Sequence, residues 1–404
     1  MTTNNKNIDK QGKKLLNVPN LRFPEFEGEW EECLLKDVAE ISKGTGISKD
    51  QLSETGHPCI LYGELYTKYK SEVISEVLSH TNIENSNLVQ SKSNDVIIPS
   101  SGETAIDIST ARCVPFSNIL LGGDLNIIRL KEHDGRFLSY QLNGVSKLEI
   151  AKIAQGVSVV HLYGESLKRL KIKLPSIQEQ NKISSLLNLI DERIATQNRI
   201  IEDLKSLSNT ICERLYSPFE KTDWQTYKYA ELFSISNERN KALQYKNVLS
   251  ASQEYGMVER NELNIDIKFD NSSIKNYKIV RPNEYVIHLR SFQGGFAYSD
   301  KTGVCSPAYT ILIPNDKLSE AFLKYYFSSQ KFIDSLRIVT YGIRDGRSIN
   351  VDEFLQLKIA IPSKSQQKYI VHVMQQWEQM IRTEEYILDK FQKQKAYLLK
   401  EMFV

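Results

Sequence analysis

The sequence predicts an α/β (α+β) protein: two similar recognition-type domains with mixed sheets, separated by two long helices that pair as an antiparallel coiled coil. Three observations carry this prediction. First, the chain repeats itself, since WEECLLKDVAEISKG from Trp30 has a counterpart in WQTYKYAELFSISNE from Trp224, and LKIKLPSIQEQNKISSLL from Leu170 returns as LKIAIPSKSQQKYIVHVM from Leu357. Second, the stretch between these landmarks in each copy holds short β-branched and aromatic runs broken by Gly, Pro, Asn and Ser. Third, each copy ends in a long apolar repeat of helical period. The tryptophans stand 194 positions apart (224 − 30) and Pro175 and Pro362 stand 187 apart (362 − 175), so the first copy carries 7 extra residues. A period near 190 residues is far above that of solenoids and indicates duplication of a whole domain, an arrangement suited to a bipartite target.

Taken in order, residues 1–17 form a polar tail and residues 18–174 the first domain. A central helix is expected over 175–217, the second domain over 218–361 and a C-terminal helix over 362–404. Strands are expected around CILYGEL, DVIIPSSG, Asn118 to Leu130, KIVRPNEYVIHLR and AYTILIP, and a helical stretch near the end of each domain, at RFLSYQLNGVSKLEIAKI and EAFLKYYFSSQKFIDSLRI. FLSYQL from Phe137 matches FLKYYF from Phe322, whereas the loops differ, so the shared residues read as scaffold and the divergent ones as a reading surface.

Both long helices start after a Pro-Ser step, Pro175-Ser176 and Pro362-Ser363, where the serine can cap backbone N–H groups. In the first, the seam runs Ile183, Leu187, Ile190, Ile194, Gln197, Ile201, Leu204, Ser208, Ile211, Leu215. Adding 187 gives Ile370, Met374, Trp377, Ile381, Glu384, Leu388, Phe391, Lys395, Leu398, Met402. Eight of ten positions are apolar in each, at spacings of four and three, which is the coiled-coil period. An antiparallel register matches the interruptions, placing Gln197 opposite Lys395 and Ser208 opposite Glu384. The same register sets Ile194 against Leu398, Ile201 against Phe391, Leu204 against Leu388 and Ile211 against Ile381. A helix over 179–215 is about 55 Å long, comparable to about 16 base pairs of duplex.

With a net charge of +2 over 404 residues, any polyanion-binding surface must be local. Five scattered cysteines without a C-x-x-C pair predict reduced thiols, and with no apolar stretch of membrane-spanning length the protein is expected to be soluble and cytoplasmic. There is no phosphate-binding G-x-x-x-x-G-K-[ST] loop, no H-E-x-x-H, no spaced His/Cys set and no glycine-rich loop with an Asn-Pro-Pro-Tyr type partner. Asp95 and Glu103 lack the lysine that a nuclease core would need. The candidate reading residues therefore lie in polar loops. In the first copy they are Lys43, Thr45, Tyr62, Tyr66, Lys68, Lys70 and Ser101; in the second, Arg239, Asn240, His288, Arg290, Gln293, Arg337, Tyr341, Arg344 and Arg347. Arginine forks suit guanine edges, Asn and Gln suit adenine, and Lys, Ser and Thr suit phosphates. Solvation alone accounts for many loop cations, and core packing competes for the tyrosines.

From about residue 17 onward, the ordered set of VPNLRFPEFEGEWEECLLKDV, LPSIQEQNKISSLL and IPSKSQQKYIVHVM resembles the specificity subunits of type I restriction–modification enzymes. The second segment departs from the Q-x-E-Q pattern with Ser365-Gln366-Gln367, which is expected to weaken its cap slightly. The resemblance implies a non-catalytic subunit in which each domain reads half of a split site on double-stranded DNA. The helices would set the spacing and dock two S-adenosylmethionine-dependent modification subunits, joined by ATP- and Mg2+-dependent restriction subunits. The chain itself would bind no cofactor, metal or membrane. The alternatives are a self-contained DNA methyltransferase or nuclease, and a coiled-coil scaffold for proteins.

Overall fold

A computed structural model describes residues 2–3, 17–83, 87–217, 223–252, 255–260, 271–288, 295–341 and 348–404. The chain divides into two compact units, Met1–Asn198 with Tyr386–Val404, and Arg199–Glu385. Both boundaries fall inside long helices, so each unit is built from one globular body and a piece of each helix.

In the first unit, β1 (Glu31–Leu34) pairs with β6 (Lys171–Leu174). Between them lie β2 (Ala39–Lys43), β3 (Asp95–Pro99), β4 (Arg112–Val114) and β5 (Leu125–Leu130), which form an antiparallel sheet in the order β4-β3-β5-β2. The second unit repeats this. Its β7 (Gln225–Lys228) pairs with β12 (Lys358–Ile361), and β8 (Phe233–Ser236), β9 (Tyr285–Ile287), β10 (Phe296–Tyr298) and β11 (Thr310–Pro314) take the order β10-β9-β11-β8. The expected mixed pairing sits in a second small sheet of the first unit, where Leu120–Leu121 runs parallel to His57–Ile60 while Ser79–Thr81 and Leu52–Ser53 run antiparallel.

The central strands are apolar on both faces because each face serves a separate core. Val96, Ile98 and Ile128 face a core with Trp30, Phe137 and helix residues Ile183, Leu187, Ile190, Leu398 and Met402, whereas Ile97, Leu125 and Ile127 face one built from Ile60, Leu65 and Leu121. In the second unit Tyr285, Ile287 and Leu312 join Cys212, Tyr216, Ile370 and Met374, while Val286 and Ile311 turn the other way. Each predicted helical stretch is broken into two helices. In the first unit α1 (Gly135–Asn143) ends at Gly144 before α2 (Lys147–Ile153); in the second α4 (Phe322–Tyr326) ends before α5 (Gln330–Ser335), which Ser329 caps through the Phe332 N–H.

The long helices are α3 (Ile177–Leu215) and α6 (Lys364–Glu401). All twenty predicted seam positions are buried or half-buried. Within each unit the helix pieces run antiparallel: Asp191 meets Lys395 in the first and Lys205 meets Glu385 in the second. The cap on α6 keeps its partners. Ser363 Oγ accepts from the Gln366 N–H at 3.4 Å and Gln366 Oε1 accepts from the Ser363 N–H at 3.2 Å, a closed capping box. The equivalent Glu179 in α3 is engaged elsewhere, in a buried bidentate pair with Arg22 at 2.8 Å.

The polar layers carry ion pairs. The Lys395 ammonium bonds to Asp191 and to Glu72, each at 2.5 Å. Two buried carboxylates draw a cation more strongly than an amide does. Beside Ser208 and Glu384, both half-buried, Lys205 pairs with Glu385 at 2.7 Å. Burial works against the Lys395 charge, but Glu72 and Asp191 outweigh it and hold the ammonium above the ordinary lysine range. Lys395→Met is therefore expected to cost about 3–5 kcal/mol by leaving buried carboxylates short of a cation, read as a shift in the chemical-denaturation midpoint. A loss below about 1 kcal/mol would place the pair with solvent-screened surface bridges.

Candidate nucleic-acid interface

Sheet register decides which loops meet. In the first unit Lys43 stands opposite Asn126 and Pro99 opposite Leu125, so the end of β2, the end of β3 and the start of β5 share one end of the sheet. Lys43 is exposed there, and Ser101 lies just beyond β3. A side chain built on Gly102 would come within 4.0 Å of the Tyr66 hydroxyl, so Tyr66 belongs to the same end. The second unit repeats the arrangement: Ile287 stands opposite Thr310 and Ser236 opposite Ile311, which places exposed Arg239 and half-buried His288 at the equivalent end. His288 packs edge-on against Tyr309 at 5.1 Å.

Several candidates have structural work within their own loops. Thr45 Oγ1 accepts from the Val89 N–H at 2.9 Å, and its own N–H donates to the Leu121 carbonyl at 3.0 Å. Asn240 is 1% exposed and is bonded both ways to the Tyr245 backbone, its Nδ2 donating at 2.7 Å and its Oδ1 accepting at 3.2 Å. Ser101 is buried. Lys68 Nζ reaches buried Glu64 at 2.6 Å and Ser79 at 2.9 Å, and Lys70 Nζ donates to the Thr67 carbonyl at 2.9 Å. Tyr62 is half-buried against the core that holds Leu65 and Tyr69. Burial, and then Tyr62, Asp107 and Glu103, push the half-buried Tyr66 phenol up. Acids at this point favour donors such as the cytosine amino group over a phosphate. Arg337 is exposed and paired with Asp334 at 2.9 Å. Thr340–Tyr341 pairs with Ser348–Ile349, and Arg290, Gln293, Arg344 and Arg347 lie outside the described residues.

Sequence reasoning missed the segment Val160–His161, which pairs with Ser101–Gly102 at the same sheet end. The signal was available, because Gln155-Gly156-Val157 aligns with Tyr341-Gly342-Ile343 in the second copy. Asp95, set aside as a nuclease acid, is buried and held by Arg129 at 2.6 Å. Among the described residues, no group of three or more His, Cys, Asp or Glu could hold a metal, and no helix is long and apolar enough to cross a membrane.

Residues 27–206 and 221–392 match the model of a type I restriction modification DNA specificity domain. The type I restriction enzyme MjaVIII specificity subunit of Methanocaldococcus jannaschii is 21% identical over 412 residues, covering 94% of this chain and 92% of that protein. The type I restriction-modification S subunit from M. genitalium has a similar structure, with a TM-score of 0.61 at 15% identity over 96% of this chain and 99% of the other. A chain from a structure described as the basis of assembly and conformational transition of the type I R-M system gives a TM-score of 0.57 at 14% identity, covering 93% and 97%. These likenesses show a shared fold.

The two kinds of loop residue separate by experiment. Lys43→Ala is expected to weaken duplex binding and lower the slope of log affinity against log salt by about 1. Asn240→Ala should instead lower stability by about 1–3 kcal/mol, with the salt slope unchanged in titrations across salt concentrations.

Proposed function

Because the chain belongs to the family of type I restriction modification DNA specificity domains and carries two of them, we propose that its two units each read one half of a bipartite site in double-stranded DNA. A specificity subunit is the non-catalytic part of such a complex, and the family match leaves neither a self-contained enzyme nor a protein scaffold with support. One observation carries the proposal: both units present divergent loops from the same end of a sheet with the same strand order. Two readers on one scaffold, with different side chains, suit two different half-sites.

In this proposal α3, with 39 residues and a length of about 58 Å at 1.5 Å per residue, acts with α6 as the spacer between half-sites. Two modification subunits, carrying S-adenosylmethionine, dock on this framework, and restriction subunits using ATP and Mg2+ complete the endonuclease. The chain contributes sequence choice and no cofactor of its own. The candidate residues Lys43, Tyr66, Arg239 and His288 supply contacts at the two sheet ends, by base edge or phosphate.

Replacing residues 224–360 with the equivalent segment of a relative tests this directly. Sequencing of methylated positions in cells carrying the full system is expected to show one half-site changed, the other retained and the spacer length unaltered, because the helices are untouched. A change in both halves would contradict independent reading.

A further inference from the structure

In the first unit, Gln155 and His161 exchange backbone hydrogen bonds, the Gln155 N–H to the His161 carbonyl at 2.9 Å and the His161 N–H to the Gln155 carbonyl at 2.7 Å. They close a tight loop over residues 156–160. Gly156 lies at φ +123°, and a Cβ there would stand 2.1 Å from the Val159 carbonyl oxygen, so the loop can close only on glycine. Behind the tip the strand is pinned. Val160–His161 pairs with Ser101–Gly102, the Leu162 N–H donates to the Ser100 carbonyl at 2.9 Å, and Asn126 Nδ2 donates to the Leu162 carbonyl at 2.8 Å.

Alternation along this strand buries Val160 and Leu162 and turns Val159, His161 and Tyr163 outward. The His161 and Tyr163 rings stack at 6.1 Å. At the tip, Val157 is 96% exposed and Val159 53%. Gly, Asn, Asp and Ser are the ordinary residues of such turns, whereas here the pinned tip offers two aliphatic side chains beside an outward aromatic pair. Val159, His161 and Tyr163 share the outward face of one strand below Val157, and a continuous apolar surface of this kind suits contact with a partner. The location decides which partner: this hairpin adjoins the sheet end that carries Lys43, Ser101 and Tyr66. The aligned sequence of the second copy, Gly342-Ile343 followed by Arg344 and Arg347, again joins a β-branched apolar residue to cations complementary to a polyanion.

We propose that the tip of the 155–161 hairpin is an apolar reading element, in which Val157, flanked by Val159, enters the major groove and packs against the 5-methyl group of a thymine. The proposal rests on the assignment of this unit as a DNA reader. Valine has no hydrogen-bond donor or acceptor, so what it can distinguish on a base edge is the thymine methyl from the bare C5–H of cytosine.

The test uses the full modification complex and its methylated motif as determined for the wild type. Deoxyuridine replaces each thymine of the half-site read by residues 18–174, removing one methyl at a time. One such replacement is expected to weaken wild-type binding about fourfold, the effect of one buried methyl-sized group. Val157→Ser should bind the thymine and deoxyuridine duplexes alike and methylate sites relaxed at that position, with the other half-site intact. Val157→Ala, with thermal unfolding as in the wild type, guards against a folding defect and should show a reduced methyl effect. An unchanged motif with the wild-type response to deoxyuridine in Val157→Ser would overturn the proposal, as would a uniform loss of affinity for every sequence, which would make the tip a backbone contact. If the exchange of residues 224–360 still alters one half-site alone, such a failure leaves the two-reader assignment standing.

Discussion

Each globular body is fixed to the long helices by equivalent hydrogen bonds, and the freedom of its loops depends on them. In the first turn of α3, Gln180 Nε2 donates to the Pro175 carbonyl at 2.7 Å while its Oε1 accepts from the Asp134 N–H at 3.1 Å, ahead of α1. In the first turn of α6, Gln367 Nε2 donates to the Pro362 carbonyl at 2.9 Å and its Oε1 accepts from the Ser319 N–H at 2.7 Å, ahead of α4. Further along, the Tyr140 hydroxyl donates to Asp191 at 2.7 Å and the Tyr325 hydroxyl to Glu378 at 2.6 Å. Buried polar groups are costly to leave unpaired. A body held this way keeps its orientation on the helix whatever residues its loops carry.

The two ties have different electrostatic company. Around Asp191, burial pushes the carboxyl up and Lys395 opposes it, while Glu72 adds to the rise. Arg112, buried and donating to the Ala111 and Tyr69 carbonyls at 3.0 Å, supplies the second positive charge facing these acids. Around Glu378, burial is outweighed by Lys324 and Tyr325, so this carboxyl sits below its ordinary range. The tyrosines respond alike: burial, reinforced by the carboxylate, drives both phenols well above their usual range. They remain donors at any physiological pH, which keeps the ties intact. The aromatic packing is duplicated as well, with Phe403 on Phe137 at 5.1 Å and Tyr216 on Phe322 at 5.2 Å.

Much of this was legible in the sequence, because helical period and repetition are local signals. The seam from Ile183 to Leu215 and from Ile370 to Met402 needed only spacing, and the strand pairs β1–β6 and β7–β12 sit at landmarks that recur by simple offset. What was not legible depended on distant groups. Lys395 reads as one polar seam position among others until Glu72, more than 300 residues earlier, is seen beside it. Asn240 and Thr45 have the composition of readers, yet their loops use them as internal braces, since Asn and Thr side chains compete for nearby backbone groups. The split of each helical stretch turned on single caps at Gly144 and Ser329 that a longer apolar pattern obscured.

The central claim is that equivalent sheet ends of the two units face different half-sites. Site-specific photo-crosslinking measures this most directly, with a benzophenone amino acid placed at position 43 in one variant of the complex and at position 239 in another, each on duplex bearing the methylated motif. The account predicts that position 43 crosslinks within one half-site and position 239 within the other, with neither reaching the spacer. Crosslinks from both positions to the same half-site, or from neither to any base of the motif, would contradict it.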